Sequence, residues 1–558
     1  MRFRLLALAL LFPMVAGCRA ADVGSVPATP TTPASESSSA PVPEDTPAPP
    51  DGFAQDSDAQ DSVAPASVAQ ASVAQASVAI STHQVVPPPP QPNATGSTLW
   101  VALADHLGGQ PKAPVLRLQS AAGPLTLRDA RGREWTDARL TISWRSAPLD
   151  TPLTLARQVA GPFASFESAD RVARRWRTLG VEALVAHPGE WEVWAPLGSA
   201  VPDGLRVRQW SDVILSVVKP VFEAAEGGIT LEAPVQIEAP QGLRWKGGVY
   251  GGPFRLQADA YGSWTLVEQV PLERYLEGVV PHEIGAGSPA AALRAQTVLA
   301  RTWALANSHR FRIDGYHLCS DTQCQVYSDP RQAGAAVRQA IAATTGRLLS
   351  WQGTPISAVY HATNGGVMAA GPEAWAMDPA PYLKAELDGD SGWVGRHRLP
   401  MQQRAAVNAL LADRSGAYGA DHPLFRWTRS LTATEIQQAL GAEASGLTLP
   451  LELSVLERGA SGRVLALQVA GSGDAPPVVL RLDRIRRTLR RFPSTLFVID
   501  ADGPNRWFLR GGGFGHGAGL SQAGAIDLAW RGWTTEAILA HYYPGTVYGP
   551  LPAAVQSP

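Results

Sequence analysis

Residues 19–97 are rich in Pro, Ala, Ser and Thr, with tandem PASVA, QASVA, QASVA units at 65–79 and four consecutive prolines at 87–90. Large apolar side chains are too sparse there to offset the entropy lost on ordering a chain, so a hydrophobic core has to form beyond this stretch. The segment reads as a disordered tether. From Leu99 the pattern changes to short runs, LWVALA, VLRLQ and LTISW, bounded by Gly, Pro and Asp, as expected of half-buried strands. Within this β-rich region, 98–240, the stretch 159–196 carries Phe166, Ala169, Val172, Ala173, Trp176 and Leu179 at helical spacing. That predicts one amphipathic helix between two strands. A second β-rich stretch covers 205–270 and helical patterns follow, so the fold class is α+β. At roughly 150 residues per domain, the length allows about three domains after the N-terminal segment is set aside.

The chain's first residues bear on its compartment. Arg2 and Arg4 precede the apolar run Leu5–Val15, which has the length of a signal-peptide core and is too short to span a bilayer. It ends in VAGC, Val15 to Cys18. Residues 1–18 resemble the signal segment of bacterial lipoproteins, in which the Cys18 thiol would be acylated and tether the exported chain to a membrane; an ordinary signal peptide is the alternative. Downstream, no stretch is long and apolar enough to span a bilayer. A formal net charge of −2 gives no electrostatic basis for a nucleic-acid partner.

One acid stands apart. PLERYLEG at 271–278 reads as a short helix closed by Gly278, and PAAALRAQTVLARTWALANSHR from 289 reads as a second, with Ser288 as N-cap and Pro289 at its first position. Leu293, Thr297, Ala300 and Ala304 share one face of the second helix, small enough for close packing. Glu283 lies in the link between the two, and the next acid is Asp314. A linker glutamate is ordinarily solvated. One that is buried without nearby cations would instead hold its proton near neutral pH.

Four blocks make a family resemblance specific: 270–305 around Glu283, CSDTQCQVY at 319–327, TTGRLLSWQGTPISAVYHATNGG at 344–366, and GGGFGHGAGLSQAGAIDLAWRGWTTEAILAHYYPGT at 511–546. Together, in this order, they resemble the stage II sporulation protein D/LytB family. The resemblance implies a catalytic domain at 241–550 with an insertion at about 387–500. It also implies a lytic transglycosylase acting on peptidoglycan glycan strands, with Glu283 as its catalyst and a preference for strands freed of stem peptides by an amidase. A non-catalytic wall protein that stimulates an amidase is the rival role within the same family. A hydrolytic muramidase, with Asp314 or Glu373 as second acid, is a more remote one. The family's usual Met-Pro after the glutamate is Ile284-Gly285 here, and its usual acid near the helix start is Ala292.

By resemblance, Tyr360, Thr363, Asn364, His516, Ser521 and Gln522 are candidates for the sugar-binding cleft. Asn364 before Gly365 reads equally well as a turn, and the glycines of 511–519 would let backbone approach sugar. GLSQAG misses the spacing of a nucleophile elbow by one residue, and the glycine-rich block lacks the Lys-Ser/Thr of a phosphate loop. Cys319 and Cys324 form a disulfide by default in an exported chain. Some family members hold structural zinc instead, for which His317 or His361 would join the cysteines, although a fourth ligand is missing. No cofactor is required for the chemistry. The stretch 148–205 resembles a SPOR domain, a glycan-binding fold, with a plain strand–helix–strand unit as the alternative. Within the insertion, LTATEIQQAL opens on a capping box, Thr432 with Glu435, and no chemistry is evident there.

Overall fold

The computed structural model describes residues 82–93 and 96–550. The signal segment with Cys18, and the tether up to residue 81, lie outside the described residues.

Two sheets carry the β-rich half. The first has seven strands in the order Leu318–Cys319, Thr98–Leu107, Trp264–Pro271, Phe254–Ala258, Val235–Glu238, Leu125–Arg128, Glu134–Asp137. The second runs Gly248–Tyr250, Leu243–Trp245, Leu116–Ser120, Arg139–Phe163, Trp191–Ala195, Leu184–Ala186, with Arg208–Ala224 also paired to Arg139–Phe163. Period-two alternation places Leu116, Leu118, Leu125, Leu127, Val235 and Ile237 in one shared core. The helix expected within 159–196 forms as Phe166–Thr178 (α1), capped by Ser165, whose hydroxyl accepts from the Ser168 N–H. Its stripe of Phe166, Ala169, Ala173 and Trp176 is buried, whereas Leu179 lies beyond the helix end and is exposed.

Residues 82–93, assigned from sequence to the tether, instead lie along the body. The His83 N–H donates to Ala260 O at 3.2 Å, Gln84 Nε2 to Asp259 O at 3.2 Å, and Pro90 O meets His317 Nε2 at 2.9 Å. Prolines have little backbone freedom to lose, so a few such bonds suffice to order the run.

The second half begins with Leu272–Val280 (α2), continues through a π-helical turn at Pro281–Gly285, and enters Ala290–Ala306 (α3), which is buried along almost its whole length. Two expectations shift. Ser288 does not cap α3; its hydroxyl donates to Ile284 O at 2.7 Å and closes the turn that carries Glu283. Nor does Gly278 end α2. It is helical, and a Cβ there would sit 2.5 Å from the Tyr327 ring and 2.6 Å from Ser328 O. The missing side chain lets the 326–328 strand of backbone lie against α2, fixed by Ser328 N–H to Gly278 O at 3.0 Å. Arg301, with no exposure, ties the two helices through a paired fork on Glu273 at 2.8 and 2.7 Å.

The region read as an insertion builds two three-stranded sheets, Trp427–Thr432, Arg506–Gly511, Phe497–Ala501 and Glu452–Arg458, Val464–Ala470, Val478–Arg481. They share an apolar core that includes Ile436, Val464, Leu467, Ile485 and Phe497. The capping box of Thr432 and Glu435 forms at the head of helix Ala433–Leu440. Among the described residues no helix is long and apolar enough to cross a membrane.

Candidate active site

Glu283 occupies the π-helical turn, half-buried, at the wall of a pocket of about 390 Å³. The disulfide loop forms the facing wall, and its Val326 N–H donates to Glu283 Oε1 at 2.9 Å. Tyr360 and Gln522 also reach the carboxyl. Burial pushes the Glu283 carboxyl above the usual glutamate range, although the Val326 N–H and Gln522 each favour its ionised form. No cationic side chain is among the groups acting on it.

The hydrogen-bond directions around Tyr360 follow from one carbonyl. Gln325 Nε2 lies 3.3 Å from Ala300 O, which can only accept, so the Gln325 amide nitrogen faces α3 and its oxygen faces Tyr360. The Tyr360 hydroxyl therefore donates to Gln325 Oε1, at 2.8 Å. Its single proton being committed, its oxygen is left to accept from the protonated form of Glu283. Gln325 Nε2 also lies 3.4 Å from the Tyr275 hydroxyl, and Gln522 Nε2 reaches Gln296 Oε1 at 3.4 Å, which anchors both amides to helix residues.

His516 lines the same pocket, with its ring against Trp375 at 4.6 Å between centroids. Its Nδ1 accepts from the Ala518 N–H at 3.2 Å, so Nε2 carries the proton and donates to Tyr360 O at 2.8 Å. Burial holds its pKa down to about 3, and the neutral ring acts as a wall that positions the Tyr360 backbone.

Three other candidates stand elsewhere. Thr363 is buried, its Oγ1 accepts from the Gly365 N–H at 3.4 Å and its backbone pairs with Phe514. Asn364 is fully buried; its Oδ1 accepts from the Gly366 N–H at 2.8 Å, the turn reading, and its Nδ2 donates to Asp388 at 2.6 Å. Ser521 is also fully buried and caps helix Gln522–Trp530 by accepting from the Gly524 N–H at 3.1 Å. All three are buried, and none lines the Glu283 pocket. The glycine-rich block likewise lets backbone approach backbone and buried side chains: a Cβ at Gly519 would lie 2.1 Å from Val359 O. That approach sets the parallel bridge between Tyr360–His361 and Leu520–Ser521, and so the height of Tyr360 in the pocket.

Cys319 and Cys324 are joined as a disulfide. His317 faces away from them in its bonding: Nδ1 accepts from the Trp100 N–H at 2.9 Å and Nε2 meets Pro90 O. With the two sulfurs joined to each other and both ring nitrogens of His317 bonded elsewhere, Cys319, Cys324 and His317 are not arranged as zinc ligands, and no group of three potential metal ligands occurs among the described residues. Of the two acids named for a hydrolytic alternative, Asp314 is buried and accepts from the Tyr261 hydroxyl at 2.9 Å, while Glu373 accepts from the Ser461 N–H at 3.1 Å. Neither lines the Glu283 pocket.

Sequence reasoning missed part of the pocket. Ser165 and Glu167 come from the start of α1, Trp303 from α3, Trp375 from the segment after Tyr360, and Asp483, Arg486 and Arg487 from the insertion. The signal available for the last three was the run DRIRRTLRR at 483–491.

The fold and site define an α+β protein with a half-buried carboxyl of raised pKa, Glu283, set between two packed helices and a disulfide loop. Residues 260–351 match the family model described as stage II sporulation protein, and 369–519 match a domain of unknown function, DUF8618. The amidase enhancer of Bacillus subtilis (strain 168) is 27% identical over 297 residues, covering 49% of this chain and 40% of that protein. Stage II sporulation protein D of the same organism is 28% identical over 302 residues, 50% of this chain and 75% of its own length. Its counterpart in Bacillus amyloliquefaciens is 29% identical over 302 residues, 50% and 74%. The chain thus spans well under half the length of the amidase enhancer. About half of the chain is similar to stage II sporulation protein D and the amidase enhancer, with the stage II sporulation protein model itself matching residues 260–351.

Proposed function

We propose that the protein is an exported lytic transglycosylase that cleaves the β-1,4 bond after N-acetylmuramic acid in peptidoglycan glycan. The observation that carries this reading is the half-buried Glu283 carboxyl, raised in pKa by its loss of solvent, with no cationic side chain acting to lower it. Protonated, it donates to the glycosidic oxygen as the bond to C1 breaks. Ionised, it removes the C6 hydroxyl proton as that oxygen bonds to C1 and closes the 1,6-anhydro ring. The proton given is regained and no water is consumed, so one carboxyl completes the cycle, whereas hydrolytic glycosidases usually rely on two. Tyr360 accepts from the acid form, and Val326 N–H with Gln522 stabilises the carboxylate that follows. Trp375, half-buried at the pocket wall, supplies an aromatic face for sugar.

Other features of the chain are consistent with it. A Cys319–Cys324 disulfide suits an oxidising, extracytoplasmic setting. Acylation of Cys18 would anchor the chain through its tether, and the α1 segment would add glycan affinity as a SPOR-like unit. Peptide-stripped glycan is the substrate and an amidase its upstream partner. A second reading, stimulation of an amidase without catalysis, is favoured by the name of the amidase enhancer relative. Purified protein and Glu283→Gln, incubated with amidase-stripped glycan, separate the two by product mass. The enzyme reading expects anhydro-sugar ends from the wild type and a loss of about 10²- to 10⁴-fold in the variant; no products from the wild type, or equal release by both, overturns it.

A further inference from the structure

The pocket holds three guanidinium groups, and two are occupied. Arg310 pairs with Glu167 and lies between Phe166 and Trp303, 4.6 and 4.8 Å from their ring centroids. Arg487 donates to Ala164 O at 2.5 Å and meets Glu190 at 3.2 Å. Arg486 differs. Its Nε is buried and has no hydrogen-bond partner, and among the described residues its guanidinium makes no hydrogen bond or ion pair. Asp483, three residues earlier on the same wall, is its nearest acidic influence, and the Oδ2 of that carboxyl is also buried without a partner. Asp483 thus supports the charge of Arg486 without satisfying its donors.

Arg486 is half-buried, with its Nε cut off from water and unpaired and its terminal nitrogens open to the pocket, an arrangement that favours entry of an anion whose oxygens match its fork. The wall that carries Arg486 continues beyond the Glu283 pocket. A neighbouring groove of about 890 Å³ shares Ala164 and Arg487 with it and is lined further on by Arg484, Arg490 and Arg491. Resting on the transglycosylase reading, the anion must belong to the glycan. The sugar ring on the donor side of the scissile bond carries a 3-O-lactyl group. In intact peptidoglycan that group is a neutral amide joined to the stem peptide; once the amide is hydrolysed it is a carboxylate.

We infer that Arg486, contributed by the insertion, binds the lactyl carboxylate of peptide-free N-acetylmuramic acid and is the residue that selects stripped glycan over intact glycan. The reaction that supplies this substrate is then amide hydrolysis at the lactyl group, and its product is recognised by the charge that hydrolysis creates. The recognition site lies in the insertion, outside the part of the chain that matches the stage II sporulation protein model.

The test measures binding, so that it does not depend on turnover. Full-length protein carrying Glu283→Gln is titrated calorimetrically with a glycan tetrasaccharide whose lactyl groups are free carboxylates, and with the same molecule after conversion of those groups to methyl amides. The carboxylate form binds about tenfold to hundredfold more tightly. Adding Arg486→Gln removes the difference, Arg486→Lys keeps part of it, and Arg481→Gln, at an exposed arginine that lines neither groove, keeps it whole; a thermal melt confirms that each variant is folded. Equal affinity for the two ligands in the parent, or an unchanged preference in Arg486→Gln, overturns the assignment. A preference that depends on Arg486 in a protein whose wild type releases no anhydro-sugar would refute the transglycosylase reading and leave the anion site standing. Anhydro-sugar release with no carboxylate preference would do the reverse.

Discussion

Replacing Gly278 with alanine tests how the disulfide loop is held against Glu283. The added methyl would lie 2.5 Å from Tyr327 Cε2 and 2.6 Å from Ser328 O, whereas carbon atoms rest at about 3.5 Å or more, so the 326–328 backbone must retreat by about 1 Å. Backbone and a buried ring cannot rotate out of the way. Val326 is adjacent, and a shift of that size carries its N–H from 2.9 Å to beyond hydrogen-bonding range of the Glu283 carboxylate. Overpacking costs about 1–3 kcal/mol, partly offset by the gain of about 1 kcal/mol from Gly to Ala inside a helix. Net destabilisation is therefore at most about 2 kcal/mol, and the variant folds. Its larger effect is on the acid. The Val326 N–H favours the ionised form, so its loss raises the Glu283 pKa further, and titration of this carboxyl by carbon NMR should move to higher pH. A Glu283 midpoint that stays in place or falls, with an unaltered melting temperature, would show that Gly278 does not hold Val326 against the carboxyl.

Further outcomes follow from the same geometry. Tyr360→Phe keeps the ring but leaves Gln325 Oε1 and the acid form of Glu283 without their hydroxyl partner, so anhydro-sugar release should fall by tenfold or more while the melt changes little, about 1–2 kcal/mol. Arg301→Ala strips Glu273 of its fork and empties a buried site; because Glu273 is partly exposed, a loss of about 2–4 kcal/mol is expected in denaturant unfolding. Burial holds His317 at about 4, far below its unfolded value near 6.5, and its neutral Nδ1 accepts from Trp100. The unfolded chain therefore binds the extra proton first: this contribution is complete above about pH 6.5 and is lost as pH falls toward 4, so melting temperature should drop across that window and drop less in His317→Asn. Asp483→Asn should leave anhydro-sugar release intact, since no second acid takes part; its abolition with reducing ends as products would favour a hydrolase.

The parts of this architecture that were readable share a local cause. The α1 stripe, the capping box at Thr432 and the placement of Glu283 between helices depend on side chains a few positions apart, which sequence periodicity records. What could not be read depends on distant partners. Gly278 looks like a helix terminator until Tyr327 is seen against it, and Ser288 looks like a cap until Ile284 O is seen to take its hydroxyl. Thr363, Asn364 and Ser521 match cleft motifs in type, yet their bonds to Gly365, Asp388 and Gly524 turn them inward. The proline run at 87–90 carries no burial signal of its own and gains one only from His317. The insertion's contribution to the pocket was legible only as charge, in a run of arginines whose direction a sequence does not give.

In the proposed mechanism one carboxyl cleaves and closes the sugar without water. Digestion of amidase-stripped glycan by the wild-type protein in water enriched in heavy oxygen measures this most directly. Every new muramyl end should be an unlabelled 1,6-anhydro residue, the partner fragment leaving with an unlabelled 4-hydroxyl, and neither should form with Glu283→Gln. Label at the cleaved ends, or unlabelled ends produced equally well by the variant, would contradict it.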